Sequence, residues 1–346
     1  MEGNEYVNTV TSSERSTSLD CSRRWYWNYG LKLVPTSKPI YWSFGSLWHQ
    51  ILEEYYLGIE EHGILNITGL VSKAKDIAGE WLDFHSVKSD LDQEKFEQVK
   101  ALAEIVPSMV FGYAKTWLNN DLCWNIVGIE ETLVSKLRTA SGRKSTKNRY
   151  AGAYDLLVEK DGEYILVEHK TTAGKAHAIE PSLAVNPQAL GYLWLARKVS
   201  TAACDTTPDI FRNALIENNQ DPEDPAYQER LQKIESNQSG NWFHRFYRYV
   251  SKDDLKEFQI EASVDATSIS RMRRLASREN QASFSRNWNS CMSPGRSCPY
   301  VDLCCAYNAA TDNEEFEDAS VLGFSRKQKT HSELLEAFDG KGIVLV

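Results

Sequence analysis

The sequence predicts an α/β fold: a mixed central β-sheet flanked by helices, with a helical N-terminal region ahead of the sheet and a cysteine-rich C-terminal clasp behind it. Three observations carry this. Apolar residues recur at helical spacing through most of the first third, β-branched and aromatic residues concentrate between Trp124 and Lys170, and one helix followed by a returning strand comes after them. At 346 residues, 42% hydrophobic and 25% charged, the proportions suit one large or two small globular domains.

Met1 to Ser18 is polar and reads as preceding a unit that runs from about residue 18 to residue 305. Cys21-Ser-Arg-Arg-Trp-Tyr-Trp-Asn-Tyr-Gly30 is aromatic and basic and fits a short amphipathic element, followed by a proline-containing connector from Val34 to Pro39. From Ser46 to Glu61, Leu47, Ile51, Leu52, Tyr55 and Tyr56 fall on one helical face. Two further helical patterns, from about Leu70 to Phe84 and about Glu94 to Leu118, complete a helical part over about 46–120. The sheet occupies about 124–200, with strands from Ile126 to Leu137, Tyr150 to Val158 and Tyr164 to Val167. Asn186-Pro187 starts a helix, since Asn caps well and Pro fits the first turn. Asp205 to Asn241 is rich in Asn, Gln, Asp and Pro and reads as a surface insertion with two short helices. Trp242 to Val250 returns to strand and Asp253 to about Ser285 is helical. The cysteine segment 291–305 and a C-terminal extension 306–346, with an acidic patch from Glu314 to Asp318, close the chain.

Lys and Arg number 39 against 48 Asp and Glu, so a net charge of −9 argues against coating a polyanion through bulk charge. No run of ~18 apolar residues occurs and the first residues lack an apolar stretch, so a cytoplasmic location with no membrane partner is expected. The chain contains no G-x-x-x-x-G-K-[ST], hence no phosphate-loop motor.

The most informative stretch runs from Tyr150 to Thr172. Asp161-Gly162 signals a two-residue type I′ hairpin turn. In that register residue i faces residue 323 − i, which sets Asp155 opposite Glu168 at ~5 Å between Cβ atoms, on one face. Like charges placed so are destabilising unless a cation lies between them. A hard oxygen set suits Mg²⁺ or Mn²⁺. Lys170, two residues after Glu168, shares that face and could orient a water or steady charge on a phosphate. The implied chemistry is metal-assisted phosphodiester hydrolysis. An ordinary solvated hairpin would carry the same residues, but the apolar neighbours Leu156, Val158, Leu166 and Val167 argue for covered faces.

Asp155 followed by Glu168-His-Lys170 resembles the D…E-x-K core of the PD-(D/E)XK nuclease superfamily, with Tyr154 where the name puts Pro. Gly45-Ser-Leu-Trp-His49 upstream, Gly152 three residues before Asp155, and Gln188-Ala-Leu-Gly-Tyr192 downstream resemble, in chain order, the motifs of its RecB-like exonuclease branch. That resemblance implies His49 as a third metal ligand beside Asp155, Glu168 and the His169 main-chain carbonyl, Lys170 as the catalytic lysine, and Gln188 and Tyr192 as DNA contacts near the scissile phosphate. It also implies DNA, as single strands or duplex ends, as substrate, and a helicase or recombination protein as partner.

Seven cysteines in a chain expected to be intracellular point to metal ligation, because four of them are Cys291, Cys298, Cys304 and Cys305. The paired knuckles of a closed zinc ribbon are absent, while iron–sulfur clusters accept less regular spacings. One N-terminal cysteine with three near the C-terminus resembles the AddB-type nuclease domains, which implies a [4Fe–4S] cluster on Cys21, Cys291, Cys298 and Cys304, with Cys305 as a substitute. Cys123 and Cys204 are read as structural or incidental. For DNA, the expected cations are Lys136, Arg138, Arg143, Lys144, Lys147 and Arg149 in a loop before the hairpin, and Arg271, Arg273, Arg274, Arg278 and Arg286 near the clasp. Arg23 and Arg24, interleaved with Trp25, Tyr26 and Trp27, are expected to add stacking surface for a single strand. Two rival classes are a binding subunit that keeps the fold without cutting, and an Fe–S redox protein.

Overall fold

The computed structural model describes residues 8–36, 40–63, 66–88, 93–139, 142–172, 180, 186–196, 201–208, 224–238, 242–278, 281–293, 296–306 and 323–327. The fold begins earlier than the polar start suggests. Strand β1 (Asn8–Thr11) is buried throughout and lies parallel to a later strand. Thr11 then caps helix α1 (Ser12–Asp20), its hydroxyl accepting from the Glu14 N–H at 3.4 Å. Ion pairs hold this strap: Glu14, fully buried, accepts from Trp25 Nε1 at 3.1 Å and from Arg273 at 2.7 Å, and Arg15 meets Asp265 at 2.5 Å. Apolar periodicity could not reveal an element secured by charge.

A short helix, Ser22–Trp25, passes into a π-turn, Tyr26–Gly30. Trp25, Tyr26 and Trp27 are core residues and Arg23 is buried with them, so the expected stacking surface for a single strand is not there. Strand β2 (Leu33–Pro35) leads to three long helices, α2 (Ile40–His62), α3 (Ile67–Lys88) and α4 (Gln93–Asp121). The sheet follows: β3 (Asn125–Arg138), β4 (Lys144–Lys160) and β5 (Glu163–Thr172), then helix α5 (Pro187–Ala196) crossing to β6 (Thr201–Pro208). Helix α6 (Pro225–Glu235), strand β7 (His244–Tyr249) and helix α7 (Lys252–Ala276) complete the core. Beyond it lie the small hairpin β8 (Met292–Ser293) and β9 (Arg296–Ser297), helix α8 (Val301–Ala306), and β10 (Phe324–Arg326), which pairs with β2.

The central sheet has the order β1-β4-β5-β6-β7, with β3 along the other edge of β4. It is mixed: β1 with β4 and β5 with β6 are parallel, the rest antiparallel. Alternation divides the core in two. Leu157 and Leu166 join Leu193 and Phe258 on the α5/α7 face, while Leu156, Val158 and Val167 join Trp48, Ile51 and Val106 on the α2/α4 face.

Three further expectations are corrected. The polar segment from Asp205 does not begin an insertion, because Thr201–Pro208 is a strand paired on both edges, with β5 and β7, its polar composition masking the pairing. The basic stretch from Lys136 to Arg149 is mostly not a loop; apart from Arg143 in the connection, its basic residues sit on the paired ends of β3 and β4, with Lys136 opposite Arg149 and Arg138 opposite Lys144. Arg149 is six residues from Asp155, which along a strand is about 20 Å. The helix after Asp253 stops at Ala276, and Arg273 is committed to Glu14. The acidic patch from Glu314 to Asp318, residues 209–223 and most of the C-terminal extension lie outside the described residues. Among the described residues no helix is long and apolar enough to cross a membrane.

Candidate active site and cysteine clasp

The hairpin register holds. Asp161 and Gly162 take φ of 54° and 83°, the two positive values a type I′ turn requires, and the pairs run from Lys160↔Glu163 to Leu156↔Val167, each summing to 323. At the next position the ladder gives way to chemistry. The His169 N–H donates to Asp155 Oδ2 at 2.6 Å, so a side-chain oxygen takes a bond that a continuing ladder would give to the main chain. Asp155 and Glu168 are thereby held together and buried, at 8% and 1% exposure. Glu168 Oε1 contacts Lys170 Nζ, while Glu168 Oε2 is buried with no hydrogen-bond partner. A buried carboxylate oxygen left so is costly, and a cation is the ligand that would relieve it.

His49 comes from α2, which passes over the end of β5; a Cβ on Gly45 would sit 3.5 Å from Thr171 Oγ1, so the helix runs close. Its Nδ1 lies 3.4 Å from Asp155 Oδ1 and 3.7 Å from Glu130 Oε1, and its Nε2 lies 3.0 Å from the His169 carbonyl oxygen. That contact uses one of the carbonyl's two lone pairs. Glu130 was missed by the sequence reading. The β3–β4 pairs on either side, Ile129↔Leu156 and Glu131↔Tyr154, sum to 285 and therefore set Glu130 opposite Asp155. Glu130 has φ of 48°, a left-handed conformation that costs a non-glycine residue about 1–2 kcal/mol. Among the described residues, His49, Glu130 and Asp155 are the one set of three possible ligand atoms within 4.8 Å of one another. His49 and Glu130 line an open groove with Ser46, Glu53, Lys170 and Thr171, and Asp155 lies buried beneath them.

The electrostatics fit a site built for positive charge. Burial opposes a charged His49, yet hydrogen bonds to Asp155 and Glu130 and the nearby carboxylates outweigh it and push its pKa up to about 10. Burial, then the charge of Asp155, raises Glu168 to about 7 despite Lys170. Asp155 goes the other way: burial would raise it, but His49 and the His169 N–H hold it below the ordinary range.

Lys170 Nζ also donates to Gln188 Oε1 at 3.2 Å, and Gln188 Nε2 donates to the Tyr192 hydroxyl at 2.8 Å. The Asn186 cap forms, its Oδ1 accepting from the Gln188 N–H at 2.9 Å. Tyr192 is 7% exposed, its ring pressed on Gly152, where an added Cβ would come within 2.4 Å of Cε1. Lys170, Gln188 and Tyr192 thus form one hydrogen-bonded chain, with Gln188 half-buried and Tyr192 packed into the core.

The clasp draws both ends of the core together. Asn287 donates to the Asp20 carbonyl at 2.8 Å and Ser290 to Asp20 Oδ1 at 2.6 Å. All four expected cysteines are free thiols. The Asn287 N–H donates to Cys21 Sγ at 3.4 Å and Trp27 Nε1 to Cys304 Sγ at 3.2 Å, and the Cys298 N–H bonds the Cys291 carbonyl at 2.9 Å. Burial, together with neighbouring sulfurs, pushes the Cys291, Cys298 and Cys304 thiols up, while Arg24 acts oppositely on Cys298 and Arg286 on the other two. Cys305 is exposed, as is Cys123; Cys204 lies in β6 opposite Glu168 in register, its side chain outside the described residues.

A family model described as the PD-(D/E)XK nuclease superfamily matches residues 9–305. Among solved structures, the crystal structure of a "putative exonuclease" from Eubacterium rectale is similar at 11% identity and a TM-score of 0.43, covering 92% of this chain and 94% of that one. A structure called SSO0001 is similar at 13% identity and a TM-score of 0.25, covering 65% of this chain and 85% of that one. No curated protein matches.

Proposed function

The chain belongs to the PD-(D/E)XK nuclease superfamily, and from that premise we propose that it is a divalent-metal-dependent deoxyribonuclease of the RecB-like kind, an exonuclease acting on DNA ends or single strands. The observation that carries the metal reading is Glu168 Oε2, buried without a partner beside Asp155, His49 and Glu130. In this reading Asp155, Glu168, His49 and the His169 carbonyl hold Mg²⁺ or Mn²⁺, and Glu130 joins them. A bound ion of this kind lowers the pKa of a water and polarises a phosphoryl oxygen.

The residues divide the remaining work. Lys170 extends past Glu168 toward the groove and steadies negative charge on the scissile phosphate or aligns the attacking water. Gln188 fixes the ammonium from behind, and Tyr192 fixes Gln188. The exposed cations Lys136, Arg138, Arg143, Lys144 and Lys147 guide the DNA backbone at a distance from the cut. A helicase or recombination partner would present the strand, in recombination, repair or mobile-element DNA processing.

We propose further that Cys21, Cys291, Cys298 and Cys304 hold a [4Fe–4S] cluster that staples the chain ends. A tetrahedral zinc at ~2.3 Å from each sulfur needs sulfurs about 3.8 Å apart. Among the described residues no three thiol sulfurs come within 4.8 Å of one another, so the spacing of the cysteines in the sequence, and not their geometry, carries the choice of a cluster over zinc.

The test is end-labelled single-stranded DNA incubated with the full chain in Mg²⁺, Mn²⁺ or EDTA. Label loss with either metal and none in EDTA is expected. Binding without turnover would replace this reading with the non-cutting subunit.

A further inference from the structure

An ion pair with both side chains buried adjoins the metal site, and the chemistry above makes no use of it. Arg245 on β7 and Asp121 at the end of α4 are 1% and 0% exposed, with Nη1 to Oδ1 at 2.6 Å. The guanidinium lies between the rings of Trp117 and Trp124, at 4.4 and 4.5 Å. Around it the Tyr55 and Tyr56 hydroxyls donate to Asp121 Oδ2 at 3.0 and 3.2 Å, and Arg245 donates to the Tyr113 hydroxyl at 3.2 Å. Burying two charges is costly, and a shape-matched apolar pair commonly joins a helix to a strand at least as well. Retained charge of this kind suggests a use other than adhesion.

The use is found one contact away. The Tyr56 ring stacks on the His169 imidazole, centroids 5.6 Å apart and planes 18° apart. His169, Asp205 and Arg245 form one row across β5, β6 and β7. The main chain of His169 supplies the N–H that holds Asp155 and the carbonyl that meets His49. We propose that the Arg245–Asp121 pair is a positioning device for the metal site. It anchors the Tyr56 hydroxyl, the Tyr56 ring sets His169, and the His169 peptide sets Asp155 and His49. The inference rests on the reading of that site as a divalent-cation centre.

The test measures Mn²⁺ affinity by electron paramagnetic resonance on the full chain, well below its melting temperature, beside a melting curve for each variant. Tyr56→Leu removes the stack and should raise the Mn²⁺ dissociation constant about tenfold, the low end of what supporting groups around metal ligands command. Tyr56→Phe keeps the ring and loses its anchor, and should raise it about threefold, within the same logic. The double variant Arg245→Met with Asp121→Leu removes both charges together and should behave like Tyr56→Phe or worse. Excess Mn²⁺ should restore kcat in all three. A pair that merely joined α4 to β7 would lower the melting temperature and leave the affinity of the folded protein unchanged. Folded variants that bind Mn²⁺ as tightly as the parent overturn the inference; a parent that binds no Mn²⁺ overturns the metal reading and this inference with it.

Discussion

A metal entering this site competes with protons, and the competition can be sized. Glu168 titrates at about 7 and His49 at about 10 in the metal-free chain, whereas Asp155 is held low and is already ionised. Raising the pH from 6 to 8 takes Glu168 from mostly protonated to mostly ionised, which frees it about tenfold for a cation. Over the same interval His49 stays below its pKa, so each unit releases its proton another tenfold, about a hundredfold in all. If both are ligands, Mn²⁺ affinity rises about a thousandfold between pH 6 and pH 8. Isothermal titration in buffers of different ionisation enthalpy reads both the affinity and the number of protons released. His49→Gln should cut the dependence to about tenfold, the share left to Glu168. An affinity that does not change with pH would remove both groups from the ligand set, and a tenfold change in the parent would remove His49 alone.

The same groups set the stability of the metal-free chain. Both bind their protons more tightly folded than unfolded, so stability present at low pH is lost as pH rises, through about 7 for Glu168 and about 10 for His49. The melting temperature of the metal-free chain should fall from pH 6 to pH 9, and saturating Mn²⁺ should flatten that fall; a flat metal-free profile would contradict it. Glu130→Gln should weaken Mn²⁺ binding about tenfold if Glu130 joins the ligands, and unaltered affinity would exclude it. Gly152→Ala drives a methyl into the Tyr192 ring, so it should destabilise by about 1–3 kcal/mol in a denaturant melt and slow cleavage by displacing Gln188 from Lys170. Iron analysis of anaerobically purified protein should find about four irons per chain, lost in Cys298→Ser and kept in Cys123→Ser. Colourless, iron-free parent protein would remove the cluster.

The parts legible in the sequence were those that local chemistry dictates. Asp161-Gly162 demands positive φ twice in succession, so the turn fixed a register that holds as far as Leu156↔Val167, one pair short of Asp155 and Glu168. Asn186-Pro187 announced a helix by its cap, and that helix carries Gln188 and Tyr192 on one face. The parts that escaped depend on partners far away in the chain. Asn8-Thr-Val-Thr11 has one apolar side chain and becomes a buried strand because β4 and α7 surround it. Thr201–Pro208 is polar and becomes an inner strand because β5 and β7 enclose it. Glu130 needs the β3–β4 register, and that ladder shifts at Ile126/Gly128 and again at Lys136/Arg138, so no count from the turn could reach it. Trp25, Tyr26 and Trp27 resembled a surface for nucleic acid because composition cannot say which way an aromatic ring faces.

The division of roles proposed above sets metal holding at Asp155 and charge stabilisation at Lys170, two positions on one hairpin. Asp155→Ala and Lys170→Ala, compared side by side for Mn²⁺ affinity and for cleavage of end-labelled DNA, test it most directly. Lys170→Ala should bind Mn²⁺ within about twofold of the parent while cleavage falls by about 10²–10³, and Asp155→Ala should lose both. Cleavage that survives either substitution, or Mn²⁺ binding that survives Asp155→Ala undiminished, would overturn that division.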